Sequence, residues 1–174
     1  MKSDELRALQ APLKKKYIDD PEAAVVTLKA KGQIGEGITC SIDTGRNLVE
    51  AGLHPATGGS GLSACSGDML LEALAACAGV TLNSVATAIG VTIRSGEVIA
   101  EGDLDFRGTL GVSKEVPVGF RNIRLRFDLD TDADEAQLAA LEKLTERYCV
   151  VYQTLRNAPD IAITYGQSGL NTNR

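Results

Sequence analysis

The chain has 174 residues, with 18 Lys and Arg against 23 Asp and Glu, a formal net charge of −5. That length fits one domain with its own core, and the acidic balance argues against nucleic-acid binding, which needs a basic face to neutralise phosphates. The start carries Asp4 and Glu5 and no apolar run, so nothing marks export, and the expected location is the cytoplasm, where thiols stay reduced.

In chain order, residues 3–17 read as a short amphipathic helix with Leu6, Leu9 and Leu13 as its apolar spots, broken by Asp19, Asp20 and Pro21. Lys14 to Lys16 favour its C-terminal end and are otherwise a solvated cluster. Residues 24–30 predict a strand, and Gly32, Gly35 and Gly37 then turn the chain. Residues 38–43 alternate with period two, which puts Ile38, Cys40 and Ile42 on one face, with Cys40 a small core residue. Residues 46–50 read as a third strand, and a loop rich in Gly and Pro follows at 52–61.

The stretch 66–90 organises the rest. Ser66 is placed to cap a helix, Asp68 sits in the first turn, and Gly90 ends a run built mostly of Ala and Leu. Such a helix is about 35 Å long. Its only polar line is narrow: Asp68, Glu72, Gly79, Asn83 and Thr87. A helix apolar nearly all round is wrapped by other elements or spans a membrane, and Asp68, Glu72, Asn83 and Ser84 argue against a span. The expectation is a buried central helix with Cys77 in its middle.

After Gly90 the period changes. Residues 91–107 alternate, with Gly96 and Gly102 as bends or bulges, and 116–130 give another strand with Ile123, Leu125, Phe127 and Leu129 on one face. A second long helix starts near Asp132 or Asp134, with Leu138, Leu141, Leu144 and Tyr148 on one side. Cys149 and V-V-Y-Q-T-L-R follow, then a final strand at 160–165. The order predicts an α+β domain at 22–166 with mainly antiparallel strands, a helical extension at 1–21 and a tail at 167–174.

The four cysteines, Cys40, Cys65, Cys77 and Cys149, are irregularly spaced, there is no C-x-x-C pair, and His54 is the one histidine. A zinc site is therefore a poor reading, and no cofactor is expected. His54 stands before Pro55 in the Gly-rich loop and reads as a solvated turn residue rather than the base of a triad. A buried cysteine taken alone is most often an inert small hydrophobe, because an apolar site raises its pKa.

L-L-E-A-L-A-A-C-A around Cys77, and E-R-Y-C-V-V-Y-Q-T-L around Cys149, resemble the family of osmotically inducible protein C and organic hydroperoxide resistance proteins (OsmC/Ohr). The order of elements fits from about residue 22 to 165. The resemblance implies an OsmC-like fold in an intertwined homodimer, each central helix partly buried by the other subunit. It also implies thiol peroxidase chemistry in oxidative-stress defence, with Cys77 as the peroxidatic residue and Cys149 as the resolving one. The substrate is then an organic hydroperoxide and the recycling partner a dithiol reductant. Three departures from the family stand out. Val150 replaces a Pro common after the second cysteine, and Gly67 holds the place of an acidic residue, with Asp68 one later. The strand-turn segment 33–37 also lacks the arginine that activates the thiolate. Arg46 and Asp68 are the candidates to hold the Cys77 thiolate; otherwise they are a turn residue and a first-turn charge. Cys65 is a spare thiol or an alternative resolving partner. Beside the peroxidase stand a non-turnover thiol sensor or small apolar-ligand binder on the same fold, and a structural dimer without a redox role.

Overall fold

The computed structural model describes residues 2–5, 8, 10–11, 15, 19, 31–34, 39–43 and 48–166. Near the start, residues 3–5, 8, 10–11, 15 and 19 are helical, so the expected break falls no earlier than Asp19. The strand expected at 24–30 and the tail at 167–174 lie outside the described residues, as does Arg46.

Three strands, β1 (Lys31–Ile34), β2 (Thr39–Asp43) and β3 (Leu48–Gly52), form antiparallel pairs in sequence order. A two-residue strand, β4 (Ala64–Cys65), joins β3 in parallel, with Ala51 opposite Ala64 and Gly52 opposite Cys65. The loop between them is pinned by a 3-10 turn at Pro55–Thr57. There the His54 Nδ1 accepts the Ala56 N–H at 3.0 Å, and the ring stacks on Phe106 with centroids 5.0 Å apart. His54 is thus a turn residue, as its place before Pro55 predicts.

β4 runs straight into the central helix, α1 (Ser66–Ile89). Its N-cap is Cys65, not Ser66, and no side chain caps the first amides. The far end matches expectation: Gly90 takes a left-handed conformation, φ 77°, and its N–H bonds the Ala86 carbonyl. Leu74, Ala78, Leu82, Val85 and Ala86 are buried, at the four-residue spacing of one helix face. The remaining apolar faces stay open, and Val80 is 73% exposed. The expectation of burial all round is therefore not met within one chain. By length and composition α1 could cross a membrane, with 28% of its most apolar window buried. Core helices pass the same test, and α1 packs on a strand and two helices of its own chain.

β5 (Ile93–Asp103) and β6 (Asn122–Thr131) form an antiparallel ribbon. β6 alternates as predicted, with Ile123, Leu125, Phe127 and Leu129 turned inward. The outer face is tied by ion pairs such as Arg94–Asp130 at 2.6 Å, exposed and so each of small worth. The irregularity in the ribbon lies between Ile93 and Ser95, not at the glycines. Gly96 and Gly102 sit in regular register for a different reason: a Cβ on Gly102 would lie 2.5 Å from the Phe120 ring, and one on Gly96 2.8 Å from Leu129. They are close-approach sites, not bends.

Between the strands lies α2 (Phe106–Thr109), capped by Asp105, whose carboxyl Arg107 holds down to a pKa of about 2. After β6 comes α3 (Glu135–Tyr148). Asp134 caps it, and a reciprocal pair of bonds with Gln137 at 2.8 and 3.0 Å completes a capping box. The core forms where α1, α3 and the ribbon meet, around Leu82, Val85, Ala86, Val91 and Leu141. Leu144 packs against it, whereas Leu138 and Tyr148 stay open. A short helix, α4 (Val150–Arg156), follows at once. Residues 160–165 form no strand, which corrects the expectation. Ile161, Ile163 and Tyr165 are 73–94% exposed, and no described strand pairs with them. A strand has no hydrogen bonds of its own, so the alternating pattern alone cannot make one.

Candidate active site

Cys149 is the joint between α3 and α4. Its backbone is extended (φ −72°, ψ 107°), its N–H closes α3 on the Thr145 carbonyl, and its carbonyl receives the Gln153 N–H that opens α4. The amides of Val150, Val151 and Tyr152 therefore begin a helix and have no carbonyl one turn back to bond. The Val150 and Val151 amides instead favour a charge on Cys77, and those of Val151 and Tyr152 one on Cys149. α4 packs on α1, where Cys77 lies half-buried one position before the fully buried Ala78.

The two thiols, far apart in sequence, act on each other directly. Burial pushes the Cys77 thiol up, but the Val151 N–H, the Cys149 thiol, the Val150 N–H and the Thr81 hydroxyl together outweigh it. The net direction is downward. Burial pushes Cys149 up as well. The Tyr152 and Val151 amides only partly offset this, and the neighbouring Cys77 raises it further. Of the pair, Cys77 thus gives up its proton more readily than Cys149. Among the described residues Cys65, Cys77 and Cys149 are free thiols.

The other candidates stand elsewhere. Asp68 is exposed in the first turn of α1, nine residues before Cys77. That is about 13.5 Å along the axis and two and a half turns, so the two side chains leave opposite sides of the helix. Asp68 instead lines a shallow hollow with Glu72, Ala75 and Val98. Cys65, at the head of α1, is about 18 Å from Cys77 along the axis. Arg46 lies outside the described residues, and among the described ones no cation is among the leading influences on Cys77. Among the described residues, what acts there is neutral. Thr81 and the Val150 and Val151 amides escaped notice in the sequence, although Thr81 stands one turn after Cys77 and Val150, unlike a proline, has an N–H to give.

Beside Cys149 opens a cavity of about 820 Å³ between α1, α3 and β6, with Leu74, Leu82, Phe127 and Leu141 in its walls. Thr145 also lines it, 3% exposed and with its hydroxyl unpartnered.

The family model for OsmC-like proteins matches residues 58–164, well over half of the chain and the whole span from the Gly-rich loop to the C-terminal segment. The chain belongs to the OsmC family. Solved structures agree on the fold. An OsmC-like protein from Mycoplasma pneumoniae superposes with a TM-score of 0.64 at 19% identity, over 76% of this chain and 89% of that one. An organic hydroperoxide resistance protein from Elizabethkingia anophelis gives 0.60 at 17%, over 77% and 91%. The organic hydroperoxide resistance protein OhrB of Bacillus subtilis gives 0.51 at 20%, over 76% and 93%. By sequence, no curated protein matches the chain. As an OsmC-family chain it has the α+β fold predicted for it, with Cys77 on α1 and Cys149 at the joint between α3 and α4.

Proposed function

We propose that the protein is a thiol-dependent peroxidase that reduces organic hydroperoxides. One observation carries this reading. Two cysteines from distant parts of the chain meet, and their surroundings push them in opposite directions, Cys77 towards thiolate and Cys149 towards thiol. A peroxidase needs that division. The Cys77 thiolate attacks the terminal oxygen of R–O–O–H and the O–O bond breaks. Sulfur keeps the hydroxyl as a sulfenic acid, and the alkoxide leaves to take up a proton as R–OH. The Cys149 sulfur then displaces hydroxide, which leaves as water with the Cys149 proton, and a disulfide forms. An external dithiol reduces it by exchange, as the reducing cytoplasm allows. The structural neighbours named as organic hydroperoxide resistance proteins support the substrate class. The open apolar faces of α1 support a second copy of the chain as its cover.

The test follows cumene hydroperoxide consumption with a dithiol reductant. Wild type should turn over, Cys77→Ser should be inactive, and Cys149→Ser should stop at the sulfenic acid on Cys77 after one equivalent or proceed to the sulfinic form with a second. A wild type that reacts once and stops would replace this reading with a non-turnover sensor.

A further inference from the structure

We propose that Gln153 is a positioning residue for the cysteine pair: its side-chain amide takes the Glu146 carbonyl and so holds open the break between α3 and α4 at which Cys149 sits. The proposal rests on the peroxidase reading for the use of the pair, not for the geometry.

In an unbroken α-helix the Val150 N–H would bond the Glu146 carbonyl, four residues back. The chain stops one residue short of that bond. The Cys149 N–H still reaches the Thr145 carbonyl at 2.9 Å, but the extended backbone of Cys149 then turns the chain, and Val150 opens α4 instead. Among the described residues no main-chain N–H takes the Glu146 carbonyl. The Gln153 Nε2 takes it, at 2.7 Å and across the whole of the bend. Its Oε1 accepts from the Asn157 Nδ2 at 3.2 Å, so the two ends of the amide face partners of opposite kind and its orientation is set. The main chain of the same residue holds the joint a second time, the Gln153 N–H bonding the Cys149 carbonyl at 2.9 Å. Gln153 thus ties down the chain on both sides of Cys149.

The consequence falls on Val150. Were the Glu146 carbonyl left without a partner, the nearest main-chain donor to recapture would be the Val150 N–H, by winding α3 on through Cys149. That would draw the N–H away from Cys77, whose charge it favours, and would turn Cys149, 1% exposed, out of its buried place. With the glutamine amide on the carbonyl, the break persists and the N–H stays free. The bond lies at the surface, where water competes for both ends, so its effect is modest.

The test measures the rate of Cys77 alkylation by iodoacetamide against pH on the full reduced chain, read by mass spectrometry of the peptide containing Cys77. Gln153→Met keeps the length of the side chain and removes the donor. It should raise the midpoint by about half a pH unit and slow alkylation at neutral pH about threefold, the effect of one neutral hydrogen bond. The same change is then made on Val150→Pro. A proline there has no N–H with which to wind α3 on, so the break stands without Gln153, and Gln153→Met should add nothing to the midpoint of Val150→Pro. An unmoved midpoint in Gln153→Met alone overturns the proposal, and so does the same rise repeated in full on Val150→Pro. Should Gln153→Met fail to fold, Gln153→Ala, which also lacks the donor, takes its place in both comparisons. Cumene hydroperoxide turnover of wild type, run alongside, separates the two claims. A shifted profile with no wild-type turnover keeps Gln153 and removes the peroxidase; turnover with an unshifted profile does the reverse.

Discussion

Among the described residues, neutral donors rather than a full charge favour the Cys77 thiolate. Around Cys77 the leading donors are the Val151 amide, the Cys149 thiol, the Val150 amide and the Thr81 hydroxyl, and together they outweigh burial. Alkylation of Cys77, and turnover on the peroxidase reading, should therefore fall away as pH drops through a midpoint lowered from that of a free thiol. Val150 allows a clean probe. Cys149 before it is extended, with ψ 107°, which a following proline accepts, and Val150 is the first residue of α4, where proline fits. Val150→Pro should remove one donor and leave the fold intact. The expected result is a rise of a few tenths of a pH unit in the alkylation midpoint, roughly a two- to threefold loss of rate at neutral pH, with an unchanged melting temperature. The family resemblance brought Cys77 and Cys149 together on paper, but two of the donors that poise them are main-chain N–H groups, which residue type does not spell. Asp68 shows the converse. It has the chemistry of a partner, yet nine helical residues carry it to the opposite side of α1.

The elements were legible where their signal is local. β6 alternates without a break, and α3 announces itself by Asp134 and by leucines at helical spacing. The capping box should carry measurable weight: Asp134→Ala is expected to lower stability by about 1 kcal/mol, seen as an earlier urea midpoint with an unchanged slope. Where the outcome depends on a distant neighbour, the reading failed. Gly96 and Gly102 signal a backbone that needs no Cβ, but only the packing of Leu129 and Phe120 tells crowding from bending. Residues 160–165 have the composition of a strand and lack a described edge to pair with. The head of α1 slipped by one residue for a smaller reason: the helical turn begins at Ser66, which leaves Cys65 as a cap that bonds nothing.

At the scale of the whole molecule, apolar surface is left open on α1, on the segment carrying Ile161 and Ile163, and at the cavity beside Cys149. A second copy of the chain is the proposed cover, and light scattering at micromolar concentration should then give twice the chain mass; a clean monomer would remove it. The remoteness of the two cysteines in sequence has a further consequence. Once bridged, Cys77 and Cys149 close a loop of about 70 residues holding the ribbon and α3, and such a closure costs the unfolded chain entropy worth up to about 4 kcal/mol. Each catalytic cycle would then switch the protein between a looser and a stapled form. On the peroxidase reading, a cell that ran short of reductant would accumulate the form that unfolds least and is degraded most slowly, and so would hold a reserve of the protein until electrons returned.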